Sequence, residues 1–468
     1  MEEGCATLDI SGASASSATA PRFRSLPPTA APIKLRDQIA ALPGLFFLDR
    51  AAAVIWSEGK RMPRSNTPPT KVLYVDHTPS HGGSVESLAR VAQALDRQKF
   101  QPVIVLAHTM EGKSPFADTP IEVVPYRLPL SHVFPVVHRA ILRVKDWSRL
   151  MAACMSGLSL IADVLVTEIP RLVRLYRIAR RHQVGLVHLN NTSYDLAGIL
   201  TAKLLGVPCV CHHRDFKVVS PLLKWQAQMI DWHIAISEAI RQDVLRLGVK
   251  PDQVSIVFDS IDPERHDPDV DISHLIRAFE KQPGEKFFGI FGRVVGWKGQ
   301  DYFLKAAAIV LEKVPISRAF IVGDDTDGTA GYIHGLHELV EQLGIASRVV
   351  FAGFRRDVPM MMKLMDVVVH ASIRPEPFGM VVIEAMAMGR PTVATVGGGP
   401  SEIIQDGVNG VLVPPQDAQR LAQEICRLLL DERRAGQIGR QAVRRAREFG
   451  NDTVARTIEN LYDDVFAK

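Results

Sequence analysis

Arg374-Pro-Glu-Pro-Phe-Gly-Met-Val-Val-Ile-Glu-Ala-Met-Ala-Met-Gly389 is the stretch around which the rest of the chain reads. Pro375 and Pro377 flank Glu376 and Gly379 follows, so the segment opens with turn chemistry. Good helix formers run from Met380 to Met388, and Gly389 is a natural C′ stop before the β-rich Pro391-Thr-Val-Ala. The expectation is a loop, a short buried helix and a strand. The first turn of that helix leaves backbone N–H groups at Gly379, Met380 and Val381 without intrahelical partners, a ready anion site. Glu376 precedes the turn and Glu384 lies about two turns further on, on the order of 10–12 Å away at ~1.5 Å of rise per residue. Such a pair suits the two ends of a nucleotide sugar whose diphosphate rests between them. The plainer alternative is an exposed helix glutamate and an unrelated loop charge.

Upstream, Phe291-Gly-Arg-Val-Val-Gly-Trp-Lys-Gly-Gln-Asp301 follows the buried-strand run Lys286-Phe-Phe-Gly-Ile-Phe291 and precedes a helix. Arg293 and Lys298 on a glycine-containing loop can clamp a diphosphate and neutralise a leaving nucleotide; two solvated loop cations are the alternative. Ile321-Val-Gly-Asp-Asp-Thr-Asp-Gly328 is a strand ending in an acidic turn, and Val349-Val-Phe-Ala-Gly-Phe-Arg-Arg-Asp357 is a further strand and turn. Downstream come the turn Gly397-Gly-Gly-Pro-Ser-Glu402, a strand within 409–414, and a helical region from Gln441 to Phe466. Strands and helices alternate from Lys286 to about Leu430, as in an α/β unit.

A second α/β unit precedes this one. Lys71-Val-Leu-Tyr-Val-Asp76 reads as a buried strand, His77 to Gly83 as a loop, and Val85 to Leu95 as a helix. Gly82-Gly83 would let the backbone approach a phosphate or sugar closely, although a tight turn without a ligand is also open. No G-x-G-x-x-G fingerprint accompanies it, so dinucleotide binding is poorly supported. Further strands are expected within 103–106, 121–124, 185–188, 208–211, 234–236 and 254–257, with Ser237 capping the helix from Glu238. Cys211-His-His-Arg-Asp-Phe216 ends one strand at the carboxyl edge, where such folds bind ligands. His212 and Arg214 alternate onto one side there and are site candidates. The Pro- and Asp-rich stretch Asp262-Pro-Glu-Arg-His-Asp-Pro268 divides the two units.

The 468 residues suffice for two or three domains, and 47% apolar with 23% charged residues is the composition of a globular enzyme. A net charge of +4 does not argue for nucleic acid. The five cysteines form no metal or disulfide pattern, and Cys209 and Cys211 read as core packing, which fits a reducing cytoplasm. The acidic start Met1-Glu2-Glu3 with no apolar run after it does not read as a signal peptide. Residues 1–69 are rich in Ser, Ala and Pro and read as a disordered extension. Residues 127–182 are an insertion in the first unit, with an uncharged run from Leu150 to Ala162 too short to span a bilayer. Arg171, Arg174, Arg177 and Arg180 follow at every third position. That stripe suits either an anionic membrane surface or an ordinary solvated helix face.

The Gly-Gly loop, the Arg/Lys loop and the E-x7-E spacing of Glu376 and Glu384, taken in order, resemble the retaining GT-B glycosyltransferases of family 4 (glycosyl transferases group 1) over roughly 71–466. The resemblance implies two Rossmann-like doubly wound domains facing a deep cleft, spanning 70–268 on the acceptor side and 269–445 on the nucleotide-sugar side. The C-terminal helix, 446–468, would cross back to the first domain. It implies transfer of a sugar from a nucleotide-diphosphate sugar to a hydroxyl of a glycan or lipid-linked acceptor, with retention, in cell-surface polysaccharide or glycolipid assembly. Arg293, Lys298 and the N–H groups of Gly379 to Val381 would hold the diphosphate, Glu376 the donor sugar and Glu384 the ribose. His212 would join Glu376, Arg293 and Lys298 as a catalytic residue, and Gly82, Gly83 and Arg214 would help bind the donor in the cleft.

No metal or cofactor is implied: Asp325 and Asp327 imitate a metal-binding D-x-D, but the family carries an ordinary turn there. Expected partners are the donor, the acceptor and an anionic membrane surface met by 127–182, with no nucleic acid; the expected location is the cytoplasm, peripheral to the inner face of the plasma membrane. Departures are that insertion and Asp259-Ser260, where relatives have Asn-Gly. A GT-B nucleotide-sugar epimerase and a non-catalytic membrane-associated assembly partner remain the alternatives.

Overall fold

The structure, a computed structural model, describes residues 68–76, 83–106, 116, 122–125, 168–190, 195–324 and 330–468. Residues 1–67 of the expected extension, Gly82, residues 127–167 of the insertion, Asp325 and Asp327 lie outside the described residues.

Two parallel sheets organise the chain. The first holds β1 (Thr70–Asp76), β2 (Phe100–Leu106), β3 (Glu122–Pro125), β4 (Val184–Asn190), β5 (Cys209–His213), β6 (Trp232–Ala235) and β7 (Val254–Ile256). The second holds β8 (Lys286–Phe291), β9 (Ser317–Val322), β10 (Val349–Gly353), β11 (Val367–His370), β12 (Thr392–Thr395) and β13 (Val411–Val413). Their orders, β3-β2-β1-β4-β5-β6-β7 and β10-β9-β8-β11-β12-β13, follow the same doubly wound path, with β7 as one further edge strand in the first. Each path reverses once, between β1 and β4 and between β8 and β11. The carboxyl ends of those strand pairs open the crevices where such sheets take ligands. Helices cover the sheets on both faces, so the strands read as continuous apolar runs: Val72 to Val75, for example, are all 0% exposed.

The strands fall where the apolar runs predicted them, with two shifts that matter. β4 extends to Asn190 and β5 to His213, which carries Asn190 and both histidines into the sheet. The C-terminal helical region is two helices, Glu432–Ala446 and Asn451–Ala467, divided by a short turn at Arg447–Phe449 and by Gly450. Gly450 is extended because it bridges Ile261 in the segment that joins the domains, and the Ile261 N–H donates to the Phe449 carbonyl at 2.9 Å. The chain thus crosses between domains twice, side by side. The second crossing delivers the last helix to the first domain, where Val454, Ile458, Leu461 and Val465 pack with Val72, Leu88 and Ile104. Burial contributes about 1.5–3 kcal/mol for each such side chain. The Tyr462 hydroxyl bonds Tyr74 Oη at 2.8 Å and His188 Nδ1 at 2.6 Å, both inside the first domain.

The domains also share an apolar core. Ile236, Ile240 and Val244 of the first pack in one cluster with Phe378, Val382 and Met386 of the second. Phe258, Phe378 and Phe449 stand in a triangle of ring centroids 5.5–6.0 Å apart at the hinge. Phe378 of the deciding stretch is therefore an anchor of the interdomain joint.

The arginine stripe differs from expectation. In the helix Ile169–His182, Arg171 turns inward, pairing with Asp195 at 3.0 Å and Glu168 at 2.6 Å. Arg174, Arg177, Arg180 and Arg181 are exposed. Three residues fall short of a turn by about 60°, so a residue at every third position drifts across the helix rather than keeping to one face.

Candidate functional site

The second crevice is built from the loops after β8 and β11. Gly299 (φ +73°) presses them together: a Cβ there would lie 2.0 Å from the Ala371 carbonyl oxygen. The Ile373 N–H donates to Trp297 O at 2.9 Å beside it. This contact brings the two sequence signals into one ion pair. Lys298 Nζ lies 2.6 and 2.8 Å from the two Glu376 oxygens, with the side chains only 12% and 13% exposed, and 4.4 Å from the centre of the Trp297 ring.

Glu376 has further partners. Ser372 Oγ donates to Oε2 at 2.9 Å, and His370 Nε2 lies 3.0 Å from the same oxygen. Burial alone would raise this carboxyl, but Lys298 and then His370 overcome it and hold Glu376 well below the usual carboxylate range. Its backbone is clasped by the glycine turn, since Gly399 N–H donates to Glu376 O at 2.9 Å. Gly398 (φ +67°) sits so close that a Cβ would lie 1.9 Å from that oxygen. The turn at 397–399 therefore fixes the height of Glu376 in the crevice.

Gly379 is the N-cap of the helix Met380–Ala387, so Gly379, Met380 and Val381 lead it, directly after Glu376. Glu384, on the same helix, is partly buried. Desolvation pushes its carboxyl up, against the opposing pull of His266, Arg90 and Arg265. Arg90 belongs to the first domain's helix Gly83–Ala94, so Glu384 is electrostatically engaged across the cleft. Arg293 is exposed on the loop, and its carbonyl accepts from Gln300 Nε2 at 2.9 Å.

The first crevice carries a polar cluster. The strand register aligns Asp76 with Asn190 and Asn190 with His212. Asn190 Nδ2 donates to Asp76 at 2.5 Å, Arg214 Nε donates to Asn190 Oδ1 at 2.8 Å, and Arg214 pairs with Asp259, which also accepts from Ser87 Oγ at 2.7 Å. Burial pulls the Arg214 guanidinium down to about 9, with Asp76 opposing. His212 was expected to open onto the cleft but is 1% exposed, since β5 continues past it. Its Nδ1 meets Arg214 Nη2 at 3.3 Å, while its Nε2 has no hydrogen-bond partner among the described residues. Burial, then Arg214, pushes its pKa well below the ordinary value, so the ring is neutral. Gly83 is exposed, with open space where a Cβ would stand.

The two domains touch beside Glu376. Ser237, the N-cap of the helix Glu238–Leu245, donates to Pro377 O at 2.6 Å. Glu402 of the second domain accepts from the N–H groups of Glu238 at 2.7 Å and Ala239 at 3.0 Å. Sequence reasoning did not assign roles to Asp76, Asn190, Asp259, His370, Ser372 or Glu402. Asp76, Asn190 and His370 each end a strand beside a switch point, a signal that becomes readable once the strand order is known.

Against known families, residues 271–445 match the model described as Glycosyl transferases group 1, and residues 163–265 match Glycosyltransferase Family 4. The chain belongs to the group 1, family 4 type of glycosyltransferases, with the two-domain GT-B fold. It is 31% identical over 236 residues to the uncharacterized glycosyltransferase MJ1607 of Methanocaldococcus jannaschii, covering 49% of this chain and 59% of that one. It is 29% identical over 214 residues to the lipopolysaccharide core biosynthesis mannosyltransferase LpsB of Rhizobium meliloti, covering 45% and 61%. The matches thus span about three fifths of the length of each of these relatives. Among solved structures, Anabaena HepE, crystallised with UDP and glucose, superposes with a TM-score of 0.69 at 24% identity, covering 84% of this chain and 99% of that one.

Proposed function

We propose that the protein transfers a sugar from a nucleotide-diphosphate sugar to an acceptor hydroxyl with retention of configuration and without a metal, in the assembly of a cell-surface polysaccharide or glycolipid. The observation that carries this reading is the Lys298–Glu376 pair at the second switch point, directly before the N-terminus of the Met380–Ala387 helix. The diphosphate is taken by Lys298, Arg293 and the leading N–H groups of that helix, whose positive end favours an anion. Glu376 meets the donor sugar and Glu384 the ribose.

The chemistry follows from the saturation of Glu376. A carboxylate already accepting from Lys298 and Ser372 has little basicity left. It is suited to stabilising positive charge on the sugar, and poorly suited to taking a proton or attacking. As the C1–O bond to the diphosphate breaks, charge grows on the leaving phosphate, where Lys298 and Arg293 stabilise it. The acceptor oxygen forms its bond to C1 on the same face and passes its proton to that phosphate oxygen. The polar cluster around Arg214 and Asn190 lies at the acceptor side, and LpsB, which acts in lipopolysaccharide core biosynthesis, is consistent with a glycan acceptor. No helix among the described residues is long and apolar enough to cross a membrane. We place the protein at the cytoplasmic face, with the exposed Arg174, Arg177, Arg180 and Arg181 toward anionic lipid.

Calorimetry with UDP-, GDP- and ADP-sugars in EDTA tests donor binding, and proton NMR of the sugar released by slow donor hydrolysis tests stereochemistry. The expected result is metal-independent binding of one donor and first release of the anomer that the donor carried. Release of the opposite anomer overturns retention, binding that requires a divalent ion overturns the metal-free clamp, and epimerised donor appearing without acceptor overturns transfer.

A further inference from the structure

Resting on the sugar-transfer reading, we infer that His370 is a positioning residue, the strand-anchored support that keeps the Glu376 carboxylate in place once a donor draws Lys298 away. His370 is the last residue of β11, registered against Ala394 of the neighbouring strand, and its side chain is 4% exposed. Its Nε2 lies 3.0 Å from Glu376 Oε2 and 3.1 Å from Ser372 Oγ.

Counting protons fixes the tautomer. The single hydroxyl proton of Ser372 is committed to Glu376 at 2.9 Å, while Thr395 Oγ1 lies at the other ring nitrogen, 3.4 Å from Nδ1. Glu376 is ionised and can only accept. Every group facing Nε2 is therefore an acceptor, and Nε2 carries the hydrogen that points at Glu376.

Glu376 has two contacts from Lys298, one from Ser372 and one from His370. When Lys298 turns to the diphosphate, the first two weaken together. Ser372 lies past the end of β11, on the loop that leads to Glu376, whereas His370 is itself a residue of the sheet. His370 then sets where the carboxylate stands under the sugar. It acts on the reacting centre through Glu376 and has no predicted contact with the nucleotide.

The test compares His370→Ala, His370→Gln and Ser372→Ala with the parent chain, measuring kcat, KM for the donor and binding of the sugar-free nucleoside diphosphate. Gln places an amide N–H near the position of Nε2–H. The expected result is a kcat about tenfold to a hundredfold lower in His370→Ala, with most of it restored in His370→Gln, a smaller loss in Ser372→Ala, and nucleoside diphosphate affinity held in all three. A His370→Ala enzyme with kcat equal to the parent's, or a folded His370→Gln enzyme as slow as His370→Ala, overturns the inference. Loss of nucleoside diphosphate affinity in step with kcat also overturns it.

Should His370→Ala fail to fold, ¹⁵N NMR of the parent protein decides: a protonated Nε2 is expected, and a neutral ring protonated only at Nδ1 overturns the assignment. If the parent chain transfers no sugar from any donor, it is the transfer reading that falls, while the NMR measurement still decides how His370 faces Glu376.

Discussion

Exchanging Glu376 for Gln leaves the shape of the crevice and removes the charge that Lys298 answers, which separates competition from cooperation at this site. Lys298 makes two contacts to Glu376, at 2.6 and 2.8 Å, in a setting where little water reaches either side chain. A hydrogen bond to a charged group contributes about 1.5–3 kcal/mol net. A diphosphate that recruits Lys298 must displace part of that interaction, so some of what the ligand gains is offset. If roughly 1–1.5 kcal/mol of it is released in Glu376→Gln, the sugar-free nucleoside diphosphate binds about 5- to 12-fold more tightly. Lys298→Ala removes the phosphate contact itself and should weaken the same ligand by about 10- to 100-fold, the span of a charged hydrogen bond. Both variants should lose at least about a hundredfold in turnover, Glu376→Gln because the sugar loses its carboxylate and Lys298→Ala because the leaving phosphate loses its cation. Isothermal calorimetry in EDTA reads the affinities and a coupled nucleotide-release assay the turnover. Opposite signs for the two binding changes support the competing pair. A Glu376→Gln protein that binds the nucleoside diphosphate as poorly as Lys298→Ala would refute it, since Glu376 would then be holding Lys298 in place for phosphate.

Proton linkage at the same residue gives a second expectation. The Glu376 carboxyl is depressed in the folded chain, so its pairing stabilises fully above the unfolded value of about 4.3 and is lost as pH falls toward the folded one. The stability difference between the parent and Glu376→Gln, from urea melts, should be present from pH 5 to 8 and close below about pH 4; a difference that persists undiminished at about pH 3 contradicts the assignment. Gly398→Ala should cut turnover and lower stability by about 2 kcal/mol or more, because strained backbone and a clash with Glu376 O coincide there; a crystal structure with Glu376 unmoved and full activity would count against the clasp. Tyr462→Phe leaves His188 Nδ1 and Tyr74 Oη short of a partner and should cost about 1–3 kcal/mol in thermal or urea unfolding; an unchanged midpoint would show that the last helix is held by its apolar face alone.

Much of the fold was legible in the chain because both sheets are covered on two faces. Runs such as Leu73-Tyr-Val75 and Phe287-Phe-Gly-Ile-Phe291 then have no polar alternation to confuse them. The loops of the candidate site were legible for another reason: Arg293, Lys298, Glu376 and Glu384 lie within two short segments whose turn residues announce loops. What the sequence withheld was adjacency. Nothing in Lys298 or Glu376 read separately states that they form an ion pair, which depends on Gly299 seating against Ala371. Asp259 could be noticed only as an unusual residue in a linker, since its partners Arg214 and Ser87 lie 45 and 172 positions away. The stripe of arginines showed the converse failure, because regular spacing in sequence does not keep Arg171 on the face where Arg180 lies.

Glu402 gives the architecture an unexpected dependency. The start of the helix Glu238–Leu245 satisfies one backbone N–H with the hydroxyl of its own Ser237 and two more with a carboxylate that belongs to the other half of the chain. Neither half is a self-sufficient module: severed from the second, the first would carry a frayed helix beside its hinge, and the second would carry an unanswered charge. Hybrid enzymes made by exchanging donor halves among relatives would inherit a matched joint only when the incoming half supplies an acidic group at that place. Shuffling specificity by whole-domain grafts is thus limited by a mechanical fitting next to the site itself, and the seam for such grafts belongs on a path that carries Ser237, Pro377 and Glu402 across together.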